Sequence, residues 1–157
     1  MKEEDDGRQA QMAATEAATL GAAFIVAQFV PVARTNPPVD PAKTITKIEH
    51  VPLNVEAVFD RSCADCHSDR TRWPWYSYVA PVSWVVAHDV HEARHRFNFS
   101  EWGTYSAAKR DHELEEICNE VLGGDMPDGK YTLLHRTAQL TADDRAAICE
   151  WTGSPRQ

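Results

Sequence analysis

The sequence predicts an all-α protein. Three observations carry this: apolar residues recur at three- and four-residue steps in several segments, those segments start and stop on capping residues, and no segment alternates as a half-buried strand does. No internal repeat is visible, and 157 residues suffice for one domain plus an appendage.

The first element is the N-terminal segment. Residues 1–11 (MKEEDDGRQAQ) are polar, residues 12–33 are largely apolar, and RTNPPVDPAKT is a Pro-rich linker. The uninterrupted apolar part, residues 17–33, is short for a spanning helix and contains Gln28 and Pro31. An uncleaved membrane anchor is the expectation. A cleaved signal peptide fits the length but lacks a convincing small-x-small cleavage site, and a buried helix is the remaining reading. The acidic leader is unusual ahead of such a segment, and Met12 is an alternative start. Basic residues flank it on both sides (Lys2 and Arg8; Arg34, Lys43 and Lys47), so they do not set its orientation.

The next helix is predicted over PLNVEAVFDRSCADCH, with Asn54 as N-cap and Val55, Val58, Phe59, Ser62, Cys63 and Cys66 on one side. Pro81 suits the first turn of a second helix running through VSWVVAHDVHEARH. In DHELEEICNEVLGG, Leu114, Ile117, Cys118, Val121 and Leu122 share a face and Gly123 ends the helix. TLLHRTAQ is read as a short helix. The last, TADDRAAICEWTG, has Thr141 as N-cap, Asp143 and Asp144 in its first turn and Gly153 at its end.

A formal net charge of −8 argues against a nucleic-acid partner, which requires clustered Lys and Arg. The informative stretch is RSCADCHSDRTRWPWYSY, residues 61–78. Cys63-x-x-Cys66-His67 can hold a covalent haem, a zinc ion or a redox dithiol. Two thiols on one helical turn can each add to a vinyl group of one porphyrin, with the adjacent imidazole beneath the iron. A second axial ligand should follow, and GGDMPDG supplies Met126 after a helix-ending Gly pair and before Pro127. Its neutral thioether favours reduced iron; methionine's ordinary role is to fill core gaps. His135 and the histidines at 88, 91 and 95 are competing donors. Trp73, Trp75 and Tyr76 would wall a porphyrin edge, and Arg70 or Arg72 would pair with its propionates; otherwise the aromatics are core and the arginines solvent-facing.

The rival chemistries are weaker. A zinc site joining Cys63 and Cys66 to His91 and His95 has a gap far longer than a zinc finger's. A thioredoxin-like dithiol wants a βαβ context, which is absent. HEARH (residues 91–95) matches HExxH, with Glu92 as the general base of a zinc hydrolase. Arg94 inside that motif makes a solvated helix face the better reading, with His88 alongside. Cys118 and Cys149 are either two buried small hydrophobes or a disulfide between the third and last helices.

A helix carrying CxxCH, a Met-Pro loop and a C-terminal helix together resemble the cytochrome c superfamily. The blocks CADCHSDRTRWPWYSYVAPVSWVV, FNFSEW, GGDMP, YTLLH and LTADDRAAICEW resemble the bacterial haem-binding domain family of membrane-anchored CxxCH proteins, over about residues 50–152. QFVPVARTNPPVD resembles the end of that family's anchor. The acidic leader and weakly apolar anchor depart from the family pattern. The resemblance implies one haem c held by Cys63 and Cys66, an extracytoplasmic or periplasmic location, and no assigned substrate.

The expected organisation is a leader and anchor over 1–34, a Pro-rich linker over 35–49 and a c-type haem-binding domain over 50–153. The expected function is that of a monohaem cytochrome, not an enzyme. It would pass single electrons to a redox partner protein, with His67 and Met126 on the iron. The alternatives are a haem sensor or peroxidase-like enzyme with a displaceable sixth ligand and, more distantly, the zinc hydrolase.

Overall fold

The computed structural model describes residues 2–153, and among them every regular element is helical. The chain falls into two compact units: Met1–Arg34 with Pro74–Ala87, and Thr35–Trp73 with His88–Gln157.

In the first unit, α1 (Lys2–Ala27) runs through both the polar leader and the apolar segment. It starts earlier than the apolar stretch because residues 10–18 are rich in alanine, the best helix former. It stops before Pro31, whose ring disfavours helical backbone at the preceding residue. Asp6–Ala27 is long and apolar enough to cross a membrane and is unburied, properties that a signal sequence shares. The unit also holds a 3₁₀ turn at Trp75–Tyr78 and the start of α5 (Val82–Arg96), as expected from Pro81.

The second unit contains α2 (Ile45–Ile48), α3 (Leu53–Ser62), α4 (Ala64–His67), the rest of α5, α6 (Ala107–Gly123), α7 (Gly129–Leu134) and α8 (Ala142–Gly153). Helices α3, α6 and α8 pack around Val55, Val58, Phe59, Leu114, Ile117, Val121 and Ile148, all buried. Ile45, in the segment read as linker, is buried in the same core. Phe59 stacks on Phe99 (ring centroids 4.8 Å apart) and meets Trp151 edge-on at 5.6 Å. Trp102 is fully buried; its Nε1 donates to Glu49 Oε1 at 2.8 Å, and Arg110 Nε lies 3.1 Å from the same oxygen. The indole N–H is thereby satisfied inside the core, and the carboxylate has a cation beside it.

Several boundaries differ from expectation. The single helix predicted through CxxCH is two, because the backbone departs from regular helix at Cys63 (φ −125°, ψ −36°). The Asp60 carbonyl, the acceptor that a continuing helix would use there, receives Arg72 Nη2 at 2.8 Å. Pro52 rather than Asn54 occupies the cap position of α3, its extended backbone leading straight into the helix. Helix α6 begins four residues early, because the Ser106 side chain accepts from the Lys109 amide. Gly124 rather than Gly123 is its stop, in left-handed conformation (φ 83°) where glycine has no Cβ penalty. Leu122 is 63% exposed: it lies about 80° around the helix from Leu114, whereas Val121 lies about 20° away. The short helix begins at Gly129 rather than Thr132, since Asp128 caps it through the Lys130 amide. Thr141 and Asp144 do cap α8, bonding reciprocally through side chain and amide.

Of the two readings of the remaining cysteines, the structure holds the disulfide: Cys118 in α6 is bonded to Cys149 in α8.

Candidate functional site

The turn between α3 and α4 places Cys63 and Cys66 as free, half-buried thiols next to the buried His67. Burial pushes the Cys63 thiol up to about 12, reinforced by Cys66 and opposed by Arg61. Burial also raises Cys66 to about 11, with the carboxylates of Asp65, Asp89 and Asp128 adding to it and Arg94 opposing. Both are therefore protonated thiols at neutral pH, the reverse of the lowered pKa that activates a redox dithiol. Asp65, between the cysteines, clamps the turn from outside. Its Oδ1 accepts from the Arg72 amide and Nε (both 3.0 Å), and its Oδ2 from Arg72 Nη2 (3.2 Å) and the Tyr131 hydroxyl (2.9 Å).

His67 is held from the other side by residues 97–100. Its ring stacks on Phe97 with centroids 4.1 Å apart, and Nδ1 lies 3.4 Å from the Phe97 carbonyl. A carbonyl can only accept, so Nδ1 carries the proton and Nε2 the free lone pair. Burial pulls the imidazole down to about 4, against the backbone carbonyls of Phe97 and Ala93, which favour its charged form. At neutral pH the imidazole is neutral and could serve as a donor. The Phe99 amide donates to the His67 carbonyl at 2.7 Å, Ser100 Oγ accepts from the Asp69 amide at 3.0 Å, and Asn98 Nδ2 donates to Asp69 Oδ1 at 2.9 Å. Arg94 closes the assembly: Nε donates to the Ser68 carbonyl (2.8 Å) and Nη2 to Thr71 Oγ1 (2.8 Å), with Asp69 at 3.6 Å.

The other predicted site residues are placed as follows. Met126 is 40% exposed in the loop between α6 and α7, and its amide donates to the Glu120 carbonyl. Trp73 is half-buried, and its buried Nε1 has no hydrogen-bond partner among the described residues. Trp75 is 79% exposed and Tyr76 half-buried; both belong to the first unit. The Arg72 guanidinium is engaged by Asp65, and Arg70 lies 3.5 Å from Asp60. His88, His91, Glu92 and His95 are exposed, and among the described residues no group of three or more His, Cys, Asp or Glu is placed to hold a metal ion. His135 stacks on Tyr131 at 4.3 Å.

Sequence reasoning missed the strap formed by Phe97, Asn98, Phe99 and Ser100, and the roles of Asp65, Arg94 and Tyr131. The strap's polar and aromatic residues alternate, yet all four are buried. That pattern does not reveal two-sided burial without the partner turn.

These residues fit a haem: two free thiols on one turn, an adjacent neutral imidazole with its lone pair on Nε2, and an unpartnered buried indole donor suited to a carboxylate. The geometry thus defines an all-helical domain in which two free, half-buried thiols lie beside a buried imidazole. A family model, the haem-binding domain, matches residues 22–154, and the chain belongs to that family. No curated protein and no solved structure gives a match to it.

Proposed function

We propose that this haem-binding protein is a monohaem c-type cytochrome that carries single electrons outside the cytoplasm, attached to the membrane by α1. The observation that carries the reading is the pair of free thiols flanking a turn that ends in a buried, neutral His67. Bound there, the haem supplies a one-electron iron couple. Cys63 and Cys66 anchor it covalently. His67 offers Nε2 to the iron, and the bond from Nδ1 to Phe97 fixes the tautomer and orients the ring. Asp65, held by Arg72 and Tyr131, keeps the CxxC turn rigid. Trp73 would cover an edge of the group, and its unpartnered indole N–H would be a donor for a carboxylate on it.

Met126 would be the second protein ligand to the iron. Its loop starts at the left-handed Gly124 and ends at the Asp128 cap of α7, so it is short and fixed at both ends. The Cys118–Cys149 disulfide supports an oxidising compartment.

The exposure of Met126 favours one second reading, a sensor or peroxidase-like enzyme whose sixth ligand is displaced. The carrier reading predicts low-spin iron with a methionine–iron charge-transfer band, lost in Met126→Ala, which then binds carbon monoxide. A native protein that binds carbon monoxide as readily as the variant supports the second reading. A band unchanged in Met126→Ala removes Met126 from the iron.

A further inference from the structure

Residues 17–33 and 73–88 are the two longest stretches free of Asp, Glu, Lys and Arg, in a chain whose residues are 25% charged. One compact unit contains all of the first and nearly all of the second. The end of the first stretch is tied to the middle of the second. Gln28, directly after α1, donates from Nε2 to the Ala80 carbonyl (3.3 Å) and accepts the Ala80 amide on Oε1 (3.0 Å). Arg34 donates from Nη1 to the Ser77 carbonyl (3.2 Å), and its guanidinium lies 4.5 Å over the Tyr78 ring.

What these ties hold is apolar surface that the unit leaves uncovered. Trp75 is 79% exposed, Tyr78 58%, Val85 48%, Val82 43% and Trp84 37%; on the neighbouring apolar segment Phe29 is 80% exposed. A single exposed apolar side chain is ordinary, but a contiguous patch marks an interaction surface. Its composition selects the occupant. Trp and Tyr gather where membrane meets water, their rings in the acyl boundary and their polar atoms among headgroups. Arg34, the one charged residue in the unit on the C-terminal side of Glu16, lies over the Tyr78 ring with a long stem that can reach headgroup phosphates. Gln28, directly after α1, bonds this segment at Ala80 and so joins it to the proposed anchor.

We infer that residues 75–85 form a second membrane contact, with Trp75, Tyr78 and Trp84 embedded at the interface of the bilayer that α1 enters. The inference rests on the reading of α1 as an anchor. It assigns Trp75 to lipid in place of the haem edge. The two contacts fix the membrane-proximal unit at more than one point, which a single anchor helix does not.

The test uses the full chain, haem-loaded, reconstituted into phosphatidylcholine vesicles containing a diazirine-bearing phosphatidylcholine. After photolysis, labelled peptides are mapped by mass spectrometry. Label in both 17–33 and 73–88, with none in α6, is expected. Label in 17–33 alone leaves the anchor intact and overturns the second contact. Label in neither overturns the anchor reading and this inference with it. Trp75→Lys combined with Trp84→Lys should lose most of the label from 73–88 while 17–33 keeps its own; undiminished labelling of 73–88 in that variant also overturns the proposal.

Discussion

Replacing Asn98 tests how His67 is held. The side chain is buried at 4% exposure, donates to the buried Asp69 carboxylate at 2.9 Å and accepts the Ser100 amide at 2.9 Å. Asn98→Ala removes one hydrogen bond to a charged group and one between neutral groups, together roughly 3 kcal/mol. Asp69 then keeps Arg94 at 3.6 Å and the rest of its carboxylate is buried without that donor. At this chain length each kcal/mol moves Tm by about 2–4 °C, so the loss should read as roughly 6–12 °C. The assay is thermal unfolding for Tm and urea unfolding for the free energy, both followed by far-UV circular dichroism, with the denaturant slope unchanged. Asn98→Asp should cost more at neutral pH, because it sets a second carboxylate against the first. A loss below about 0.5 kcal/mol for Asn98→Ala, within the range of an ordinary surface substitution, would refute the strap as the support of the His67 turn.

Cys118→Ser with Cys149→Ser opens a 31-residue separation between α6 and α8. The chain-entropy cost is about 3–4 kcal/mol, measured as a lower urea midpoint; an unchanged midpoint contradicts a structural role for the bond. Asp144 titrates below the usual carboxylate range. Burial alone would raise it, but the bonds from Thr141 and the Arg61 charge outweigh burial. Its folded pKa is depressed, so its stabilisation is fully present above the unfolded value near 3.8 and is lost as pH falls through the folded pKa. Asp144→Asn should therefore lower stability at pH 7 and flatten the acid limb of stability against pH; a limb as steep as the wild type's contradicts the assignment.

The helical periods were legible where one face alone decides burial. Val55, Val58 and Phe59 in α3, and Leu114, Ile117 and Val121 in α6, are all buried as their spacing requires. The α8 cap was legible because Thr141 and Asp144 act within one turn. What escaped the sequence depends on partners far along the chain. The break at Cys63 follows from Arg72 reaching the Asp60 carbonyl, twelve residues away. The strap joins residues 67–69 to 97–100 through contacts about thirty residues apart. Of the candidate site, Cys63, Cys66 and His67 stand out from spacing alone, because the proposed attachment needs them on one turn. Asp65 and Arg94 were not, since a charged residue in either place reads as solvated surface.

The most direct measurement of the central claim is haem retention under denaturing acid. Protein matured with haem is extracted with acidified acetone, and the pyridine haemochrome spectrum is recorded for pellet and extract. Covalent attachment through both thiols predicts haem in the protein pellet of the wild type, with the band position of two saturated vinyl groups, and free haem in the extract from Cys63→Ala with Cys66→Ala. Haem that leaves the wild-type protein, or that stays with the doubly substituted one, contradicts the claim.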